Sequence, residues 1–124
     1  MRHKIVIFVL VVITSIWSSE PKEIVGLWNA IGKSAYVKME IVDGLVQGHV
    51  VKNSKDPKMI GVHLFQNLKW SEKSGKWVGY VYDYSKDKLW KGSFTMKSPD
   101  IFEMSVKFMG LGRSDDWGRV EEPL

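Results

Sequence analysis

The chain has 124 residues, enough for one domain, and its composition (44% hydrophobic, 26% charged) is that of a globular protein. Of 18 basic residues, Arg2 and Lys4 lie in an N-terminal leader, so 16 basic residues face 14 acidic ones beyond it, a balance of +2. No run of lysine or arginine is long enough to favour nucleic-acid binding. The absence of cysteine excludes disulfides, lipoprotein attachment and thiol chemistry.

Residues 1–19 have the plan of a secretory signal peptide. A basic segment from Arg2 to Lys4 precedes an unbroken apolar run over residues 5–13, and serines follow before the polar Glu20. The alternative is an uncleaved anchor, but the apolar stretch favours cleavage because it is shorter than the about 20 residues that a membrane span needs. We therefore predict a cleaved leader (1–19), a single mature domain (20–124) and export to the periplasm or the medium.

The first half of the mature chain reads as short strands. Residues 25–31 are the first candidate, and residues 35–41 alternate strictly between apolar and polar, which predicts a half-buried strand. Asp43-Gly44 predicts a tight hairpin turn into a third strand over residues 45–52. Gly48 within that strand predicts a bulge or a close approach.

The second half continues the pattern after a polar loop over residues 53–58. The apolar segment 60–68 is compatible with a strand or a short helical turn, and we favour the strand. Alternating segments then start near Trp77, Trp90, Phe102 and Ser114, and the turns between them are predicted at Ser74-Gly75, 85–88, 98–100 and 110–112.

About eight short strands with local connections predict an all-β fold, a small up-and-down antiparallel β-barrel. Closure of the sheet removes the unpaired edges that invite aggregation. An eight-stranded barrel has an interior just wide enough for side chains or for one small ligand.

Two stretches at the ends of the domain carry a resemblance to calycins, the lipocalin-like barrels. Gly26-Leu27-Trp28 resembles the Gly-x-Trp opening of that group, in which an arginine of the last strand packs across the tryptophan of the first. Arg119 is the matching arginine, and Trp117 lies two residues before it. The resemblance implies structural closure of the barrel by Gly26, Trp28, Trp117 and Arg119.

More closely, the chain is similar to a bacterial exported family known as domain of unknown function 2147. The family has no assigned activity, so the resemblance implies a lipocalin-like barrel in the bacterial envelope and no particular reaction. The resembling stretches are Gly26-Leu27-Trp28, Asp56-Pro57 leading into Ile60-Gly61-Val62, Trp77-x-Gly79-x-Val81-Tyr82-Asp83, Trp90-x-Gly92, and Gly112-Arg113 followed by Trp117-x-Arg119.

The inward rows of the barrel are the candidate ligand site. Alternation of small and large residues in Trp77-Gly79-Val81 and Trp90-Gly92-Phe94 favours these faces as interior. The apolar residues of the interior either line a pocket or fill it, and the sequence leaves both open. The candidate ligand-binding residues are Met39, Trp77, Val81, Tyr82, Asp83, Trp90, Phe94 and Met104.

Tyrosines at 80, 82 and 84 are expected to face outward, where with Trp70 they form either an aromatic platform or ordinary cross-strand pairs. Catalysis is not expected. His49 and His63 lack the spacing of a zinc site, and Asp115-Asp116 point to opposite faces of a strand. We predict no metal and no cofactor.

The leading hypothesis is therefore an exported carrier of a small apolar or amphipathic molecule. The alternative is a filled barrel that acts as an envelope protein-interaction module through its aromatic outer face. The presence of a ligand cavity distinguishes the two. The sequence leaves the oligomeric state open.

Overall fold

The structure, a computed structural model, describes residues 21–121, so the predicted signal peptide lies outside the described residues. The strands are β1 (Gly26–Ala30), β2 (Ala35–Val42), β3 (Leu45–Asn53), β4 (His63–Ser71), β5 (Lys76–Asp83), β6 (Lys88–Ser98), β7 (Ile101–Phe108) and β8 (Leu111–Val120). Each strand pairs antiparallel with the next, and β1 pairs with β8. The predicted up-and-down barrel of eight strands is confirmed.

Two short 3₁₀ turns, Pro21–Ile24 and Pro57–Met59, accompany the strands. The second changes the fourth predicted strand, which begins at His63 and not at residue 60. Proline starts the 3₁₀ turn, and Gly61 then reverses the chain with a φ of 93°. Hydrogen bonds of Gly61 N–H to the Val50 carbonyl and of Val50 N–H to the Val62 carbonyl hold this loop on β3.

Two of the hairpin turns have positive φ at both central residues. Asp43 and Gly44 have φ of 52° and 83°, as predicted for this tight turn. The turn predicted at residues 110–112 was placed too late. Met109 and Gly110 make it with φ of 52° and 87°, so β8 already begins at Leu111.

The half of the barrel interior around Trp28 is solidly packed. Phe102 contacts Trp28 edge-on with ring centroids 4.7 Å apart, and it stacks on Trp117 with ring planes 3° apart. Phe65 meets Phe94 at 5.0 Å and Trp117 at 5.2 Å, both edge-on. Edge-to-face pairs of this kind fill space efficiently and add to the burial energy. All five aromatic side chains are buried.

The interior faces are those that the alternation predicted. Trp77 and Phe94 are fully buried and Val81 nearly so, whereas Tyr80 and Tyr84 on the opposite face are exposed. Trp70 does not join the tyrosines. It lies directly across from Trp77 and packs edge-on against that ring at 4.5 Å, on the inward side of the sheet.

A bulge in β4 depends on a glycine in β5. Asn67 adopts a φ of 54°, and the pairing of β4 with β5 shifts between Gln66 and Lys69. The Gln47 side chain holds the bulge, since it accepts a bond from the Asn67 N–H at 2.9 Å and donates one to Asn67 Oδ1 at 2.7 Å. A Cβ atom at Gly79 would lie 2.8 Å from the Gln66 carbonyl oxygen and 2.9 Å from that of Asn67.

We expect Gly79→Ala to lower stability by about 1–3 kcal/mol, because backbone atoms must move to admit the new methyl group. Gly112→Ala is the matched control, since a Cβ there meets nothing within 4 Å. Thermal unfolding followed by circular dichroism measures both. Equal melting temperatures for the two variants would contradict the requirement for glycine at 79.

Candidate functional site: the open end of the barrel

The meander gives the barrel two ends with different structures. The sealed end carries the β2–β3, β4–β5 and β6–β7 turns and the start of β1. The open end carries the β1–β2 turn, the β3–β4 loop with its 3₁₀ turn, the β5–β6 turn and the β7–β8 turn.

Arg119 joins four segments at the sealed end. Its guanidinium lies over the Trp28 ring, 4.3 Å from the centroid. The same group donates hydrogen bonds to the carbonyl oxygens of Glu23 (2.7 Å), Val25 (2.9 Å) and Pro99 (3.0 and 3.1 Å). The planar fork of arginine allows this combination of stacking and several directed bonds, which a lysine ammonium does not.

Two further contacts complete the seal. The Trp28 indole donates to the Ile24 carbonyl at 2.9 Å, and the Ile24 side chain is fully buried beneath the 3₁₀ turn. Gly26 leaves room for the arginine, because a Cβ there would lie 2.8 Å from Arg119 Nη1. Ligand entry at this end would require these contacts to break.

The opposite end opens because β6 and β7 separate. Their ladder ends at the pair Gly92–Val106. Beyond that point β6 stays paired with β5 as far as Asp83–Lys88, and β7 stays paired with β8 as far as Phe108–Leu111. The two hairpins therefore diverge, and a cleft lies between them.

Two adjoining pockets occupy this region. The cleft pocket, about 620 Å³, lies between β6 and β7 and is lined by Trp90, Ser93, Ser105 and Val106 among others. The mouth pocket, about 790 Å³, is lined by Met59, the residues 82–86, and Leu111. Gly112 and Arg113 line both pockets, so the two pockets adjoin at the start of β8.

The mouth pocket combines apolar surface with oriented polar groups. The Tyr82 hydroxyl donates to Asp87 Oδ1 at 2.6 Å, and this bond raises the pKa of Tyr82 above the ordinary 10.0. Arg113 lies 3.8 Å from the Asp115 carboxylate, which Lys33 also approaches to 3.6 Å. The wall therefore presents a neutral phenol, a cation and apolar side chains, a combination that suits an amphipathic ligand.

Asp83 organises the β5–β6 turn at the edge of this pocket. Its Oδ1 accepts bonds from the Ser85 hydroxyl (2.7 Å) and from the N–H groups of Ser85 (3.1 Å) and Lys86 (3.3 Å). The hydroxyl bond is the main cause that holds the pKa of Asp83 below 3.8, and the two N–H groups and the Trp90 side chain act in the same direction. The carboxylate is thus ionised at neutral pH, as bonds to the charged form require.

The sequence-predicted ligand residues divide between two places. Tyr82 and Asp83 line the mouth pocket and Trp90 lines the cleft, with the Lys88 ammonium 5.2 Å from the Trp90 ring centroid. The other five line neither pocket and are buried in the core: Met39, Trp77, Val81, Phe94 and Met104. The sequence reasoning missed Met59, Leu111 and Arg113. Correct placement of the turn at Met109-Gly110 would have brought the last two to the mouth.

The histidines lie on the outer wall of the barrel, away from the mouth and cleft pockets. The rings of His49 and His63 are 6.2 Å apart, and Glu40 approaches His49 to 4.0 Å. Within residues 21–121, no group of three or more potential ligand side chains is placed to hold a metal ion. In the same span, no helix is both long enough and apolar enough to cross a membrane.

Arg119→Ala should lower stability by about 2–3 kcal/mol, the sum of a lost cation–π contact and of lost charge-assisted hydrogen bonds to three carbonyl groups. For a domain of this size we expect a fall in melting temperature of roughly 10 °C. Arg113→Ala is the control, because its exposed ion pair contributes little. A melting temperature unchanged in Arg119→Ala would show that the sealed end does not depend on this side chain.

Asp83→Asn should destabilise the protein in a pH-dependent way. The folded-state pKa of Asp83 lies below 3.8, so its stabilising effect is present above that value and is lost as the pH falls through the folded pKa. The difference in melting temperature between wild type and variant should therefore be larger at pH 7 than at pH 2.5. A difference that is the same at both pH values would contradict a role for the charge.

Comparison with known proteins places the chain in a family. No curated protein and no solved structure matches it. Residues 26–119, which run from the glycine at the sealed end to the arginine that covers Trp28, match the family described as "Uncharacterized protein conserved in bacteria (DUF2147)". This match covers most of the chain and nearly all of the barrel, and the protein belongs to the DUF2147 family.

Proposed function

We propose that the protein is an exported, lipocalin-like carrier that binds a small amphipathic molecule at the open end of its barrel. The observation that supports this most directly is the pair of adjoining pockets, the mouth pocket and the cleft pocket. The mouth pocket lies at the end of the barrel opposite the one that Arg119 and Ile24 close.

The depth of the site follows from the packing of the core. Aromatic rings fill the sealed half, so a ligand would lie at the mouth and between β6 and β7 rather than along the barrel axis. Pockets of a few hundred cubic ångströms accommodate molecules of roughly drug size. Met59 and Leu111 would contact the apolar part of the ligand, and Arg113 would lie beside a polar or anionic head group.

The signal-peptide pattern of residues 1–19 supports export. A basic segment, a short apolar run and small residues precede the domain in the order that secretion requires. An exported carrier without disulfides needs a core that stabilises the fold alone. The buried aromatic rings of the sealed half supply such a core.

The alternative function, an envelope protein-interaction module, is supported by the outer face of β5. Tyr80 and Tyr84 are 42% and 43% exposed, which is high for large side chains. Tyrosine contributes much to protein interfaces because it offers a large rigid surface with a polar tip. This face and the mouth pocket share Tyr84, so a mutation of Tyr84 would affect both functions. A mutation that blocks only the pocket separates them, because it should abolish ligand binding and leave the protein-interaction face unchanged.

Native mass spectrometry of the full-length chain, expressed in a bacterium and recovered from the periplasm, tests the carrier function. We expect the unfolded protein to have the mass of residues 20–124, and the native protein to carry an additional mass of roughly a few hundred daltons. Gly112→Trp, which fills the wall shared by the two pockets, should abolish the additional mass.

Lys73→Trp, in the exposed β4–β5 turn of the sealed end, is the matched control and should retain the additional mass. A native mass equal to the unfolded mass in the wild type would contradict the carrier function. An additional mass that survives in Gly112→Trp would place the ligand elsewhere. An unprocessed mass that includes residues 1–19 would contradict the predicted cleavage.

A further inference from the structure

Besides Ile31 (54% exposed) in the β1–β2 turn, the open end exposes apolar side chains in three connections that lie close together. They are Ile60 (54% exposed) in the β3–β4 loop, Tyr84 (43%) in the β5–β6 turn, and Met109 and Leu111 (77% each) at the β7–β8 turn. Met59, Tyr84 and Leu111 line one pocket, so the three connections are neighbours in space. Exposed apolar groups that converge in this way typically mark a surface that another molecule covers.

Basic groups accompany these apolar side chains. The four connections of the open end contain Lys33, Lys55, Lys58 and Lys86 against Asp56 and Asp87. The three turns of the sealed end reverse the balance, with Asp43, Glu72 and Asp100 against Lys73. The charge of the connections is therefore +2 at the open end and −2 at the sealed end.

Three of the open-end lysines have no internal role for their charge. The ammonium groups of Lys55, Lys58 and Lys86 form no ion pair with any residue between 21 and 121, and all three side chains are exposed. An unpaired cation beside an exposed apolar side chain matches an anionic lipid surface, which offers phosphate at its boundary and hydrocarbon beneath.

We propose that this surface, the open rim (Ile60, Tyr84, Met109 and Leu111 with Lys55, Lys58 and Lys86), docks on an anionic lipid bilayer. The apolar side chains enter the interface while the lysines lie at the level of the phosphates. Docking goes beyond ligand carriage, because it requires no occupant in the mouth pocket. If both hold, the mouth faces the membrane, and a ligand passes between the two without crossing water.

Flotation of the mature protein with vesicles measures docking directly. The probes are phosphatidylglycerol–phosphatidylethanolamine vesicles and phosphatidylcholine vesicles of equal size, at low and at high salt. We expect binding to the anionic vesicles that weakens as salt is raised, and little binding to the neutral ones. Equal binding to both vesicle types, or binding to neither, would overturn the proposal.

Variants separate the two parts of the rim. Lys58→Gln with Lys86→Gln should weaken partitioning roughly 25-fold, since each lysine near an anionic surface contributes about fivefold. Leu111→Asp should weaken it about tenfold or more, because a side chain that would leave water becomes charged. Both variants leave the buried core unchanged, so both should fold, and their melting temperatures check this.

Matched controls at the sealed end make the assignment specific. Ile41→Asp changes a side chain that is 46% exposed, and Lys73→Gln removes an exposed lysine, yet both should bind as the wild type does. Weakening by the controls equal to that by the rim variants would overturn the orientation. Inorganic phosphate at matched ionic strength should not compete, and full competition would show a phosphate site instead of a lipid surface.

Gly112→Trp connects this test to the carrier function. It blocks the shared wall of the two pockets without changing a charge of the rim, so vesicle binding should persist when the additional mass is lost. Loss of vesicle binding in this variant would show that docking depends on the pocket, and would overturn the proposal that docking requires no occupant there.

Discussion

The pairing of β1 with β8 is the constraint on which the rest of the structure depends. Without it the sheet would be an open meander with two unsatisfied edges and an exposed aromatic core. Arg119 is part of this seam, where it pairs with Trp28, and its guanidinium reaches the segment before β1 and the β6–β7 turn. One side chain thus joins the first, sixth, seventh and last strands, which are far apart in sequence.

The two halves of the barrel differ in the side chains that occupy their interiors. The sealed half brings together the largest side chains, and their rings occupy the interior. Towards the open end the inward positions change to Asp83, Trp90, Arg113 and Asp115, which are half-buried or exposed. Charged groups are stable there because water and ion pairs reach them. The open end can therefore hold charged side chains because its interior is incompletely packed. The stability of the fold comes mainly from the packed aromatic rings at the other end.

Much of the fold could be predicted because the alternation of apolar and polar residues is local and strong. The strand pattern, the Asp43-Gly44 turn and the inward faces of β5 and β6 all follow from period two and turn chemistry. The candidate site could be predicted only in part. Sequence patterns identified Trp90, Tyr82 and Asp83 as candidate ligand-binding residues. They did not separate the inward residues that fill the core from those that line a pocket, because this depends on where each strand ends relative to its neighbours.

Met59 and Leu111 illustrate that limit. Neither lies in an alternating segment, and each reaches the mouth because a turn places it there. The 3₁₀ turn Pro57–Met59 brings a methionine back over the barrel, and the two-residue turn at Met109-Gly110 starts β8 earlier than the glycine at 112 indicates. Pairing register and loop packing are tertiary properties, and a single sequence carries little local information about either.

The divergence of β6 from β7 gives the barrel two mechanical parts. The β7–β8 tip lacks a backbone ladder to β6, whereas the sealed half has neighbours on both sides of every strand. Fewer interstrand bonds mean a lower free energy for local opening than for global unfolding, so amide exchange at the tip should be the faster. The sealed half is therefore the more rigid part of the barrel, and the β7–β8 tip is the more flexible part. If the open end binds a ligand, as we propose, the size of the molecule that it admits depends on backbone fluctuation of one hairpin as well as on the fixed diameter of an eight-stranded cylinder.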